Sequence, residues 1–220
     1  MSNYISKLNE TVERTHVRYR NRYGIALAGD LYTSRELDKK KSHAAVVVGA
    51  PYGGVKEQGP SVYANELAQR GFVVLTFDPC YMGESGGEPR HVSSPDLFSE
   101  NISAGVDYLG LLPYVDRKKI AALGICGSGG FALSAAAMDT RIKAVVTASM
   151  FDMCAAARLG MTPEQIQERK ERMSLQRCLQ RWMEPKRMLV VPNCNYIDLY
   201  DDTEKIPFVE IERFLHESLK

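Results

Sequence analysis

The apolar residues of this chain fall into continuous runs, and segments with helical spacing separate the runs. Runs of small and β-branched residues are typical of strands that are buried on both faces of a parallel sheet. They occupy residues 44–48, 73–77, 120–124 and 144–148. The spacing between the runs predicts helices over residues 62–69, 95–111 and 128–138. This alternation predicts an α/β fold with a mostly parallel, doubly wound sheet and helices on both faces.

The start of the chain departs from this alternation. Residues 17–20 and 25–32 predict two strands, which a turn at residues 21–24 joins. A pair of this kind forms an antiparallel edge on the larger sheet. The length of 220 residues fits one domain over residues 1–220.

The last third of the chain is less regular. A polar helix is predicted from Thr162 to about residue 182. Residues 187–191 predict a final strand, because they are mostly apolar and include neighbouring valines. Residues 207–219 carry the pattern of an amphipathic closing helix.

Composition and charge exclude several classes of function. The net charge is +1, from 28 basic and 27 acidic residues, so a nucleic-acid partner is disfavoured. Residues 1–13 are polar, which predicts no secretory leader, and no apolar run has the roughly 20 residues of a membrane span. The five cysteines form no C-x-x-C pair and are expected as free thiols in a reducing compartment. We therefore expect a cytoplasmic protein without a membrane partner.

A tight turn between a buried strand and a small-residue helix occupies residues 124–130. A nucleophile on such a turn has strained backbone geometry, and the residues two before and two after it must be small. Gly124 and Ser128 meet that requirement around Cys126. Because Cys126 also stands at a helix N-terminus, free N–H groups and the helix dipole favour its thiolate form. Cys126 is therefore the candidate nucleophile.

Two alternatives compete with this assignment. Ser128 has its own flanking residues, Cys126 and Gly130, but it lies one step further into the helix than the turn requires. Alternatively, the segment is a tight packing turn that performs no chemistry, and Cys126 is a small buried hydrophobe.

Two backbone N–H groups are candidates for an oxyanion hole. The N–H of Gly127 follows the candidate nucleophile directly, so it would point at an oxyanion formed on an attacked carbonyl group. A second donor is expected from the loop at residues 49–54, where Pro51 has no N–H and Tyr52 is the better candidate. The alternative is that this loop is only a glycine-rich chain reversal.

Several stretches of the sequence resemble one bacterial branch of the α/β-hydrolase superfamily, which is related to the dienelactone hydrolases and also places a cysteine at the turn. These stretches are residues 50–58, 83–90, 124–132 and 149–153. The resemblance covers most of the chain and is specific up to about residue 160. It implies the α/β-hydrolase fold and hydrolysis of a small ester, lactone or thioester through an acyl-enzyme. Within that fold, residues 151–182 are a candidate for a reduced lid.

The C-terminal part departs from the pattern of the family that it resembles. Tyr196 occupies the position where the family has a catalytic histidine. The strand that bears the family's acidic residue is missing between Trp182 and Met183. Asp152 follows a predicted strand and is interpreted as a helix cap rather than as the group that orients a base.

A cysteine nucleophile needs a base within hydrogen-bond reach, and four histidines are available. His16 and His43 are expected at the opposite end of the sheet from Cys126, and His216 on the solvent face of the closing helix. His91 follows a loop on the side of the sheet that carries the site. It is the one histidine considered as a substitute base, although a surface position is its simpler interpretation.

We therefore predict a hydrolase with Cys126 as nucleophile and with Tyr52 and Gly127 as oxyanion donors. Its activity is expected to be weak, because the base and the acid that orients it are both lost. The alternative is a non-catalytic relative that binds a small molecule or a protein partner. We expect a small-molecule substrate, no metal and no cofactor. The lost strand leaves an exposed sheet edge, which predicts a homodimer.

Overall fold

The computed structural model describes residues 4–151, 162 and 187–220. Its strands are β1 (Val12–Arg20), β2 (Ala26–Ser34), β3 (His43–Gly49), β4 (Val73–Phe77), β5 (Val115–Ile125) and β6 (Ile142–Ala148). They form a six-stranded sheet in the order β1-β2-β4-β3-β5-β6. β3 to β6 run parallel to one another, whereas β1 pairs antiparallel with β2, and β2 antiparallel with β4. The prediction of a mostly parallel sheet with an antiparallel N-terminal edge is confirmed.

Two strands are longer than the apolar pattern predicts, because their extra residues are polar. β1 begins at Val12 rather than at residue 17, and most of its side chains are exposed or half-buried. β5 begins at Val115 rather than at residue 120, and Arg117 and Lys118 in its first half are exposed. Backbone pairing extends both strands beyond the part that a hydrophobic pattern reports.

The helices cover both faces of the sheet. They are α1 (Gly59–Gln69), α2 (Pro95–Leu111), α3 (Gly127–Met138), α4 (Asp198–Asp201) and α5 (Phe208–Ser218). α2 begins where the sequence predicts, because the Ser94 hydroxyl accepts a hydrogen bond from the Leu97 N–H and Pro95 occupies the first turn.

The core consists of two apolar layers, one on each face of the sheet. On one face, Leu67 of α1 and Leu215 of α5 are fully buried in the same cluster as Val46 and Val48 of β3. On the other face, the buried residues of α2 and α3 pack with Val47. Successive residues of β3 thus point to opposite layers, which is why the strand reads as one continuous apolar run.

The predicted final strand over residues 187–191 is wrong. These residues form no helix or strand, and Met188 and Val190 are 88% and 73% exposed. The segment has the apolar and β-branched side chains that are typical of a strand, but it pairs with no strand in the described part of the chain. β6 is the last strand of the sheet order, and no described residue pairs with its outer edge.

Some sequence predictions fall outside the described residues. They are the helix from Thr162 to residue 182, the missing strand between Trp182 and Met183, the lid over residues 151–182 and the role of Asp152. The prediction of one domain also stays a prediction. Among the helices that the structure describes, none combines the length and the hydropathy needed to cross a bilayer.

Candidate active site

Cys126 is the single residue between the end of β5 and the start of α3, and its backbone is strained. Its φ is 55° and its ψ is −121°, a left-handed conformation that is uncommon for a residue with a side chain. The Cys126 N–H donates to the carbonyl oxygen of Ala148 at 2.9 Å. The Cys126 carbonyl oxygen accepts from the N–H groups of Gly129 at 3.0 Å and Phe151 at 3.2 Å. The strain is therefore held by bonds on both sides of the residue.

The requirement for small residues around this turn has a direct steric cause. A Cβ atom on Gly124 would lie 2.2 Å from the carbonyl oxygen of Ser128, well inside van der Waals contact. Gly130, by contrast, would place a Cβ in open space. Of these two glycines, only Gly124 is needed for α3 to start so close to β5.

Ser128 points away from the site. It is buried, and its hydroxyl donates to the carbonyl oxygen of Ala50. A Cβ on Gly49 would lie 2.9 Å from the Ser128 Cβ, so α3 also packs closely on the loop that follows β3. Ser128 thus holds the glycine-rich loop against α3. Cys126, unlike Ser128, is partly exposed.

The Cys126 sulfur lies among hydrogen-bond donors. The phenol groups of Tyr196 and Tyr200 and the backbone N–H groups of Gly127 and Tyr52 act on the pKa of its thiol as donors. Burial raises the pKa of the Cys126 thiol, but these donors outweigh burial, and the pKa lies below its ordinary value. The two amides are the ones that the sequence indicates as oxyanion donors, and that role stays a prediction.

Tyr196 and Tyr200 are brought to the sulfur by the segment around α4. The Ser149 hydroxyl donates to the carbonyl oxygen of Tyr196 at 2.7 Å, and the Tyr63 hydroxyl donates to that of Leu199 at 2.5 Å. The two rings meet edge to face with their centroids 5.7 Å apart. Burial and the neighbouring Cys126 raise the pKa of both phenols, so both remain protonated around neutral pH.

Sequence reasoning identified Tyr196 but missed Tyr200. A spacing of four residues would place two tyrosines on one side of a helix, but Tyr196 precedes α4. The sequence alone did not indicate that residues 198–201 form a helix, since the segment is too short to show a period.

None of the four histidines bonds to the Cys126 sulfur. His91 is exposed and has a left-handed backbone with φ of 64°. His43 lies at the start of β3, as predicted, and His216 is 59% exposed on α5, as predicted.

The predicted position of His16 is wrong. His16 lies in the middle of β1, where Asp30 is its partner on β2, and Asp30 is in turn level with Thr76 near the carboxyl end of β4. His16 therefore lies toward the same end of the sheet as the site. β2, β4 and β3 separate β1 from β5, so several strand spacings of roughly 4.8 Å still divide His16 from Cys126.

A buried ion cluster fixes the loop that supplies the Tyr52 N–H. Lys56 is 1% exposed, and its ammonium group lies 2.5 Å from Glu57, 3.1 Å from Asp78 and 3.0 Å from Glu84. Asp78 also accepts the backbone N–H groups of Lys56 and Glu84, each at 2.8 Å. The cluster therefore joins the loop after β3 to the end of β4 and to the Glu84 loop.

The charges of this cluster stabilise one another. Burial lowers the pKa of Lys56, but its carboxylate partners outweigh burial and raise it, while Lys56 lowers the pKa of Glu84. The carboxylates of Glu57, Asp78 and Glu84 are close enough to hold a metal ion, but the Lys56 ammonium bonds to all three. Sequence reasoning did not identify Lys56, because nothing in a sequence marks a lysine as buried.

Comparison with known proteins yields one family and several relatives. The profile of the "Dienelactone hydrolase family" matches residues 29–157. "Uncharacterized protein PA2218" of Pseudomonas aeruginosa is 48% identical over 175 residues, which are 80% of this chain and 47% of that protein. The crystal structure of PA2218 has a TM-score of 0.85 and 32% identity, over 99% of this chain and 97% of the crystallised chain.

Two fungal relatives carry names that describe an activity. "Polyketide transferase claH" of Penicillium crustosum is 33% identical over 131 residues, which are 60% of this chain and 42% of that protein. "Thiohydrolase aneE" of Aspergillus aculeatus is 29% identical over 143 residues, which are 65% of this chain and 43% of that protein. The chain thus spans about half the length of the curated relatives that it matches.

Proposed function

Since the chain belongs to the dienelactone hydrolase family, we propose that it cleaves a small ester, lactone or thioester through Cys126. The family supports a hydrolase-type function, and the choice of residues rests on the geometry of the turn. The observation that carries the proposal is the partly exposed Cys126 at the strained strand-to-helix turn, where two phenols and two backbone amides lower the pKa of its thiol. These four donors favour the thiolate, which is the nucleophilic form of cysteine.

The proposed reaction begins when the Cys126 thiolate attacks the carbonyl carbon of the substrate. The negative charge then moves from the sulfur to the former carbonyl oxygen. The backbone N–H groups of Tyr52 and Gly127, which favour the thiolate, would then stabilise the negative charge on this oxygen. Because both amides belong to fixed backbone, they need no reorganisation during the reaction.

The proposed activity on ordinary esters is slow. Positioned general acid–base groups contribute roughly 10²–10⁴-fold to the rate of such reactions. No imidazole bonds to the Cys126 sulfur in this chain, so that contribution from a histidine is missing. The names of the two fungal relatives, a thiohydrolase and a polyketide transferase, support acyl chemistry of this kind.

The test is hydrolysis of an activated short-chain ester, such as p-nitrophenyl acetate, by the purified chain. We expect a slow release of p-nitrophenol that Cys126→Ala abolishes. Cys194→Ala is the matched control, because Cys194 is also a free and partly exposed thiol. A rate that survives Cys126→Ala unchanged would contradict the nucleophile assignment.

One observation favours a second candidate function, a non-catalytic protein that binds a small molecule or a protein partner. It is the phenol of Tyr196 at the sulfur, in the position where the sequence resemblance places a histidine. In that case Cys126 would resist iodoacetamide near neutral pH, and no acyl group would be transferred to it. Rapid and selective alkylation of Cys126 would count against this alternative.

A further inference from the structure

The loop that carries Tyr52 leaves the sheet beside the strand-to-helix turn. β3 and β5 are neighbouring parallel strands, and Gly49 at the end of β3 is level with Gly124 in β5. Neighbouring strands lie roughly 4.8 Å apart, so the loop and the turn begin next to each other. Ser128 fastens the start of the loop, because its hydroxyl donates to the carbonyl oxygen of Ala50. The place of the Tyr52 N–H therefore depends on how the loop is held further along.

Tyr52 lies in a tight turn that gives it little hold on the rest of the molecule. It is 47% exposed, and its ring meets that of Phe98 with the centroids 6.5 Å apart. The Gly54 N–H donates to the carbonyl oxygen of Pro51 at 2.8 Å, and the φ of Gly53 is 80°. Both features are typical of a type II turn with Tyr52 at its second position. Such a turn fixes the shape of four residues, but an anchor outside it must fix where they lie.

Asp78 is the anchor at the far end of this loop. It accepts the backbone N–H of Lys56 at 2.8 Å and the Lys56 ammonium group at 3.1 Å. Asp78 is itself tied to the sheet, because its N–H donates to the carbonyl oxygen of Ala28 in β2 at 2.9 Å. A Cβ atom on Gly83 would lie 2.3 Å from the Asp78 carboxylate, so the chain after β4 closes tightly over the anchor. The loop after β3 is therefore held at both of its ends.

We propose that Lys56 and Asp78 are a positioning pair, which holds the Tyr52 N–H where the oxyanion of the reaction forms. This inference rests on the proposed function, because it takes Cys126 as the nucleophile and Tyr52 as an oxyanion donor. The side chains of Lys56 and Asp78 are each 1% exposed, so neither meets the substrate. They act through the backbone of the loop, in which Lys56 follows Tyr52 by four residues.

The position of the donor decides how much it contributes to the rate. Removal of one oxyanion donor costs roughly 10²–10³-fold, and a misplacement of about 1 Å by a distant mutation can cost about 100-fold. In Lys56→Met, the loop keeps the Ser128 bond at its start, but Asp78 stays buried without its cation. The far end of the loop is then free to shift, and the Tyr52 N–H shifts with it.

The test compares two reactions of the Cys126 thiolate, of which only one forms an oxyanion. Acylation by p-nitrophenyl acetate forms one, and its rate is the release of p-nitrophenol in the first turnover. Alkylation by iodoacetamide forms none, and peptide mass spectrometry gives its rate. Both reactions start from the same thiolate, so the ratio of their rates does not depend on the pKa of Cys126. A merely structural role would lower both rates together and leave the ratio unchanged.

Arg141→Met is the matched control for Lys56→Met. Arg141 lies 2.7 Å from Asp139, whose side chain is 10% exposed, so this variant also leaves a mostly buried carboxylate without that cation. The control pair lies just before β6, at the opposite end of the parallel strands from Cys126. Circular dichroism checks that each variant is folded.

Asp78→Asn decides the question if Lys56→Met does not fold. The Lys56 ammonium group keeps Glu57 and Glu84 as partners in this variant, so no cation is left buried alone. Its bond to position 78 no longer joins opposite charges. The anchor is therefore weakened rather than removed.

Tyr52→Pro tests whether the pair acts through the Tyr52 N–H. Proline has no N–H and suits the second position of a type II turn. Tyr52→Ala loses the same ring but keeps the N–H, so the difference between the two variants is the contribution of the donor. Once the donor is gone, adding Lys56→Met should lower the ratio of acylation to alkylation no further.

We expect Lys56→Met to lower the ratio of acylation to alkylation about 10- to 100-fold. Asp78→Asn should lower it by a smaller factor, and Arg141→Met should leave it at its original value. The positioning inference is overturned, while the hydrolase proposal stands, if the ratio is unchanged in Lys56→Met, or in Asp78→Asn where Lys56→Met does not fold. A ratio in Tyr52→Pro as high as in Tyr52→Ala overturns it as well. If p-nitrophenyl acetate does not acylate Cys126 in the unaltered chain, both proposals fail.

Discussion

Two unusual properties meet at Cys126, a left-handed backbone and a thiol whose pKa lies below its ordinary value. The amides of Gly127 and Tyr52 are among the groups that lower this pKa. The charge of the thiolate is then shared among donors rather than passed to an imidazole. The reactivity of this residue follows from hydrogen bonds, and each bond can be removed separately.

Removal of one phenol hydroxyl should raise the pKa of Cys126. The Tyr200→Phe and Tyr196→Phe variants keep the ring but lose a hydrogen bond that favours the thiolate. A higher pKa means less thiolate at neutral pH, so the midpoint of the pH profile for alkylation by iodoacetamide should move to higher pH. A midpoint that stays in place in both variants would show that the phenols do not stabilise the thiolate.

Loss of the Lys56 ammonium should destabilise the fold. In Lys56→Met, the carboxylate of Asp78 stays buried without its cation, and broken buried ion pairs cost roughly 3–5 kcal/mol. We expect the free energy of unfolding in urea to fall by about that amount. Lys40→Met removes an exposed lysine and should change stability by less than about 0.5 kcal/mol. Equal stability of the two variants would contradict the role of the cluster.

At the scale of elements, the site depends on how closely α3 starts after β5. Gly124→Ala should displace the start of α3, because its Cβ would meet the Ser128 backbone at 2.2 Å. Overpacking of this kind costs roughly 1–3 kcal/mol, and alkylation of Cys126 should slow with it. In Gly130→Ala, the added Cβ has no neighbouring atom within 4 Å. The free energy of unfolding should therefore stay the same or rise, because alanine favours a helix by about 1 kcal/mol over glycine. Thermal unfolding of both variants tests these two predictions. A loss of stability in Gly130→Ala as large as that in Gly124→Ala would contradict them.

The sequence predicts well the elements in which buried residues recur at a regular interval. β4 matches its predicted bounds, and the start of α2 follows from the Ser94 cap. The predicted strand over residues 187–191 fails because hydrophobic residues indicate what a segment would bury, not whether a partner strand is present. At the site, the positions of Cys126 and Gly127 follow from the local geometry of one turn, whereas Tyr52 belongs to the loop after β3. Tyr200 and Lys56 reach their places through contacts between distant segments, which no local pattern records.

At the scale of the whole molecule, the described part of the sheet ends at β6, and no described residue pairs with the outer edge of that strand. An unpaired edge offers backbone N–H and C=O groups to a second copy. We propose that the chain forms a homodimer through this edge. Light scattering should give twice the chain mass at high concentration, and amide hydrogen exchange in β6 should slow with concentration. A strict monomer, or exchange in β6 that does not depend on concentration, would contradict the proposal.

Whether Cys126 is an accessible thiolate is tested most directly by the order in which the thiols react with iodoacetamide near neutral pH. Peptide mass spectrometry gives that order. Cys80 is a built-in reference, because it is buried and burial raises its pKa. We expect Cys126 to be alkylated first, at a rate that follows a pKa below the usual value of about 8.5, and Cys80 to stay unmodified in the folded protein. If Cys126 reacts as slowly as Cys80, the sulfur is not an accessible thiolate, and the nucleophile at the turn is refuted.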